Sequence, residues 1–124
     1  MKKHVSQMTQ REITLLTDLC MLGDYHLCSY SQRRLRQRNI EPKQVLKAIK
    51  EGKLIEYHYV SPLEHRVLLR GITPISGFVI CVVLDLFTGL IVTAYKNSVW
   101  DKHFTLRQKE YDANIDILNK LYEE

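Results

Sequence analysis

Four arginines fall within six residues, Arg33, Arg34, Arg36 and Arg38, in the stretch YSQRRLRQRNI that runs from Tyr30 to Ile40. A guanidinium is planar, permanently charged and carries its N–H donors in a fixed fork, which makes it the side chain best matched to a phosphate. At about 100° per residue, a helix places Tyr30, Arg34 and Arg38 within roughly 80° of one another and turns Arg33 and Arg36 to the other side. Leu35 is the main apolar residue of this segment, so the stripe of Tyr30, Arg34 and Arg38 borders the buried face. From there the two guanidiniums can reach into a cleft against a sheet. Arg33 and Arg36 join Lys43, Lys47, Lys50 and Lys53 as a broader basic surface for nucleic acid, although a merely solvated helix face would carry the same residues.

Metal-free cleavage of RNA needs a base for the ribose 2′-hydroxyl, a cation for the crowded phosphate and an acid for the leaving oxygen. Tyr30, His58 and His65 are the candidates for proton transfer. An even-numbered hairpin loop around Ser61-Pro62 would set His58 and His65 opposite each other, with Cβ atoms about 5 Å apart. Two surface imidazoles on an edge hairpin would fit the same spacing. No His, Cys, Asp and Glu set has the spacing of a metal site, and no glycine-rich phosphate loop or nucleophile elbow is present, so neither metal nor cofactor is expected.

The net charge of +4 is unevenly placed: residues 33–53 hold eight basic side chains against two acidic ones, whereas residues 101–124 hold six acids against four bases. One end of the molecule should therefore attract polyanions. Three cysteines, Cys20, Cys28 and Cys81, form no disulfide framework and point to a reducing, cytoplasmic setting. No stretch approaches membrane-spanning length.

The elements that must position these groups follow from pattern. Residues 9–23 open with Thr9 and Glu12 in capping-box spacing, repeat apolar residues at helical intervals and stop at Gly23. A second helix begins at a Ser29 and Gln32 box and ends at Asn39, and a third runs from Pro42 to Gly52. From Leu54 the period changes to that of strands: LIEYHYV, HRVLLR, FVICVVL and LIVTAY, separated by turn residues. Tyr111, Ile115, Leu118 and Tyr122 recur at helical spacing, which predicts a closing helix within residues 100–124. The expectation is a single α+β domain over residues 1–124, with a flexible tail at 1–8 and N-terminal helices packed on a four-stranded, mainly antiparallel sheet.

Over residues 27–95 the chain resembles the small domains grouped as domain of unknown function 4258. The resemblance is carried by Arg34, Arg38, Ile40, Gly52, Ile55, Glu56, Asp85, Thr93 and Tyr95, with the helix at 9–23 outside it. Their histidine falls on Tyr30 here. That family is similar in fold to the barnase, colicin and RelE-type toxin ribonucleases. The resemblance implies that Arg34 and Arg38 hold a phosphate and that Thr93 and Tyr95 line the site.

The sequence thus points to an RNA-binding, toxin-like domain, with metal-independent endoribonuclease activity as its chemistry. The alternative is a non-catalytic inhibitor from a phage or mobile element that engages a nucleic acid or a nucleic-acid-handling protein. An acidic antitoxin or a host protein would be the partner. The extra N-terminal helix could also support a homodimer.

Overall fold

The computed structural model describes residues 1–101 and 111–122. Among these residues the architecture is α+β: one open, five-stranded antiparallel sheet with strand order β1-β2-β3-β4-β5, and four α-helices. The strands are β1 (Lys2–His4), β2 (Lys53–Ser61), β3 (Glu64–Arg70), β4 (Phe78–Asp85) and β5 (Ile91–Ser98). The helices are α1 (Gln10–Leu22), α2 (Ser29–Gln37), α3 (Pro42–Glu51) and α4 (Ile117–Leu121).

Local chemistry sets the helix ends. Thr9 and Glu12 form the capping box that opens α1, and Tyr25 donates its hydroxyl to the Cys20 carbonyl at 3.0 Å near the other end. Pro42 opens α3 and Gly52 closes it. The expected Ser29 box gives way to Cys28, whose sulfur accepts the Ser31 N–H, so the cap of α2 lies one residue earlier. Asn39 ends the segment in the left-handed region at φ 57°.

Helices α1 and α3 cover one face of the sheet, where Leu16, Val45, Ile49, Tyr57, Val67, Val82 and Leu84 form the main core. Each lies on the inward parity of its element, so the alternation of the strands and the 3.6-residue period of the helices converge on one layer. Ile55, Leu68 and Cys81, with Val83 and Tyr95 against them, form a smaller apolar cluster apart from the main core. A bulge between Leu54 and Glu56 lets Leu54 and Tyr57, three residues apart, share the main core while Ile55 joins the smaller cluster.

Two expectations at the chain ends are corrected. Residues 1–8 do not form a flexible tail: Lys2, Lys3 and His4 pair with His58, Tyr57 and Glu56, adding a fifth strand to the four expected. Its anchor is a buried ion pair, Lys3 Nζ to Glu12 Oε1 at 2.8 Å, with Lys3 also donating to the Ile115 carbonyl at 2.7 Å. Among the described residues of 100–124, the closing helix expected there is the short α4. Residues 102–110 and 123–124 lie outside the described residues. Tyr111 bridges to Lys2, a turn at Asp112–Asn114 breaks the helical spacing, and Ile115 is buried ahead of the helix.

Edge strand β5 is not left bare. Ser31 of α2 donates to the Ile91 carbonyl at 2.8 Å, and His26 exchanges backbone hydrogen bonds with Gly89 and Ile91. Gly89 makes that approach feasible: its φ is +73°, and a Cβ there would stand 2.4 Å from the Asp24 carbonyl oxygen. The arginine-bearing helix is thereby fixed along an otherwise open sheet edge.

Candidate functional site

Arg38 sits just past the last turn of α2, and its Nη1 donates to Thr93 Oγ1 at 2.9 Å and to the Ala94 carbonyl at 2.7 Å. Two residues 55 positions apart, both named from sequence, are therefore brought together. The bridge also caps an outward-facing carbonyl of β5. Among the described residues, Arg38 has no carboxylate within ion-pair distance and no hydrogen-bond partner for Nε or Nη2. A half-buried cation held by neutral acceptors keeps its full charge for an incoming anion.

One turn earlier, Arg34 makes, among the described residues, only a long side-chain contact, 3.5 Å, with Gln37 Oε1, and Tyr30 is exposed at the start of the stripe. Arg33 and Arg36 are exposed as well. Tyr95 shares the outward parity of Thr93 on β5, but its ring packs on the Ile55, Leu68 and Cys81 cluster. Burial, followed by the neighbouring Cys81 thiol, pushes the Tyr95 phenol well above its ordinary pKa. It is a neutral packing group at physiological pH.

The basic surface continues onto α3. At about 100° per residue Lys43, Lys47 and Lys50 share one side of α3, with Lys43 and Lys47 beside Gln44, while Lys53 begins β2. Lys43 has an exposed partner in Glu41 at 3.2 Å. Such exposed pairs contribute little.

The histidines do not face each other. In the observed register His58 stands opposite Arg66, and His65 stands opposite Tyr59. The turn is tight, with Ser61 paired to Glu64, but an irregularity between Tyr59 and Ser61 shifts the parity and sends the two imidazoles to opposite faces. His65 is fully buried in the main layer, bonded to the Tyr57 hydroxyl and to the Pro62 carbonyl at 3.0 Å. Because a carbonyl only accepts, Nε2 carries the proton and Nδ1 accepts from Tyr57 in the neutral ring. Tyr59 and Phe87 pack edge-on against this imidazole.

His58 lies on β2, three strands from β5, or roughly 14 Å from the Arg38 bridge at about 4.8 Å per strand. Burial lowers its pKa below the ordinary imidazole value, helped by the positive chain terminus, Lys2 and Arg66 and opposed by Glu56. Neither histidine stands beside the arginine pair.

Sequence reasoning missed the sulfur that opens this helix. Cys28 is exposed, and the hydroxyl and N–H of Ser31 hold its thiol below the usual pKa. Burial pushes Cys20 up to about 12 and Cys81 up to about 11. Iodoacetamide at neutral pH is thus expected to alkylate Cys28 first, with a single added mass in the native protein. Equal labelling of all three thiols before unfolding would contradict this.

No group of three or more His, Cys, Asp or Glu among the described residues could hold a metal ion. No helix among them is long and apolar enough to cross a membrane. No curated protein matches the chain, and no solved structure does. A family model covers residues 31–96, from Ser31 in the first turn of α2 to Lys96 of β5, and so takes in Arg34, Arg38, Thr93 and Tyr95. That span is more than half of the chain, which belongs to the family described as Domain of unknown function (DUF4258).

Proposed function

We propose that the protein binds RNA, as a toxin-ribonuclease-like domain, with the phosphate backbone seated on Arg34 and Arg38 at the β5 edge. The observation that carries this is the Arg38 bridge: a guanidinium oriented by Thr93 and the Ala94 carbonyl, with no carboxylate among the described residues to neutralise it. Orientation in advance lowers the side-chain entropy that an anion would otherwise have to overcome. Arg34, one turn away and, among the described residues, joined only to Gln37, supplies a second cation along the same stripe.

The geometry favours binding over cleavage, because His58 and His65 are elsewhere and the phenol of Tyr30 is the proton-transfer candidate on the stripe. An acidic partner protein would compete for the same arginines.

The test is anisotropy of labelled RNA in a salt titration, with a chelator present. Arg34→Ala/Arg38→Ala is expected to weaken binding by about a hundredfold, since each charge-assisted hydrogen bond contributes roughly 1.5–3 kcal/mol. Its log-affinity against log-salt slope should also flatten. Equal affinity of the variant and the parent would refute the reading. Chelator-resistant products with 2′,3′-cyclic phosphate ends, lost in Tyr30→Phe, would extend it to an endoribonuclease.

A further inference from the structure

The basic stripe does not stop at Arg38. Asn39 turns the chain into α3, and together with Gln44, Ile75, Phe78, Ile80 and Lys96 it lines a cavity of about 280 Å³. Gln44, Ile75 and Ile80 also line a second cavity of about 400 Å³, bounded by Lys43 and Lys47 on one bank and by Ala48 and Ile72 on its floor. The two are adjoining parts of one trough that runs from the end of α2 along α3.

Its cations recur at a regular interval. Lys96 lies two residues beyond Ala94, the Arg38 acceptor, which is about 7 Å along an antiparallel strand. Lys43 and Lys47 are one helical turn apart, about 6 Å along α3. Lys47 and Lys96 have no carboxylate within ion-pair distance among the described residues. Two acids border the trough: Glu41, 3.2 Å from Lys43 in an exposed pair, and Glu51, which accepts the Thr73 hydroxyl at 2.9 Å. Between the cations the floor is apolar, and Ile72, Ile75 and Phe78 are all more than a third exposed.

A ligand with evenly spaced anions and flat, apolar-faced side groups matches this alternation. The geometry points to single-stranded RNA as the occupant: its phosphates pass from Arg38 to Lys96 and on to Lys43 and Lys47, and its bases lie on Phe78 and the isoleucines. A duplex keeps its bases stacked inside and cannot place them on the floor. An acidic peptide would use the lysines but has no reason to continue from the Arg38 bridge. The inference rests on the RNA reading above and assigns the strandedness and the path.

The experiment measures anisotropy of labelled oligouridines of increasing length, and of a duplex of matched length, against the full chain. Affinity is expected to rise with length and to favour the single strand. Lys43→Ala/Lys47→Ala should weaken it several-fold and reduce the log–log salt slope by about 1.4, or about 0.7 for each phosphate that is no longer neutralised. Ile75→Ser should weaken it with the slope unchanged. All these positions are at the surface, and circular dichroism checks that each variant is folded.

If oligouridine binds and depends on Arg34 and Arg38 but not on Lys43, Lys47 or Ile75, the trough assignment is overturned while the arginine site stands. Absence of any binding by the parent overturns both. Tighter binding of the duplex, or displacement by polyglutamate at equal charge concentration, overturns the single-strand assignment.

Discussion

Replacing Glu12 with alanine is expected to cost about 3–5 kcal/mol of folding stability, read as a lower urea midpoint, because it leaves the Lys3 ammonium buried without its counter-charge. Lys3 and Glu12 are 5% and 3% exposed, so bulk solvent does not solvate the pair. Glu12 holds more than the ion pair. Its oxygens accept from Lys3 at 2.8 and 3.1 Å, from the Thr9 N–H at 2.9 Å and from the Ile117 N–H at 2.9 Å. One side chain therefore joins β1, the start of α1 and the start of α4. Against a total of about 5–15 kcal/mol for a domain, the loss is large. Glu12→Gln should be nearly as costly, since it preserves shape but not charge. A midpoint unchanged within error in both variants would show that the pair contributes nothing.

The same group gives the protein a pH dependence. Burial raises the Glu12 pKa, but the Lys3 hydrogen bond, the two backbone N–H donors and the Lys3 charge together outweigh it and hold the carboxyl below its usual value of 4.5. The folded state thus binds this proton less readily than the unfolded chain. The stabilisation is complete above the unfolded pKa and is lost as pH falls through the depressed folded value. Urea midpoints measured from pH 6 downward should fall less steeply in Glu12→Gln than in the parent.

His65→Ala is expected to lower stability by about 3 kcal/mol, through a cavity and the loss of partners for the Tyr57 hydroxyl and the Pro62 carbonyl. His58→Ala, on the opposite face and part-exposed, should change it by less than about 0.5 kcal/mol. Thermal unfolding of both variants decides between a core ring and a proton-transfer group at position 65. A His65→Ala protein with parental stability but impaired RNA chemistry would reverse the structural assignment.

The contrast between these histidines shows where sequence patterning works and where it stops. Helix ends were legible because caps are local chemistry: Thr9 with Glu12, Pro42 and Gly52 sit where the spacing puts them. The meeting of Arg38 with Thr93 followed from the family resemblance, not from periodicity. Hairpin parity was not legible, because one irregularity near Val60 reverses which face every later residue joins. Strand β1 left no signal either. Three residues are too few to show a period, and a lysine is the last residue type that composition would place in a core. At the other end, Tyr111, Ile115, Leu118 and Tyr122 imitate helical spacing across a turn at Asp112 to Asn114.

The Lys3 and Glu12 lock also sets an order of events during synthesis. The first strand finds its neighbour only after residue 56 is made, and its ammonium is fully satisfied only when the carbonyl of Ile115 arrives. Nascent chains stalled before that point should be readily digested by protease, and those stalled well past residue 117 should resist it, because maturation waits on the segment that carries Ile115.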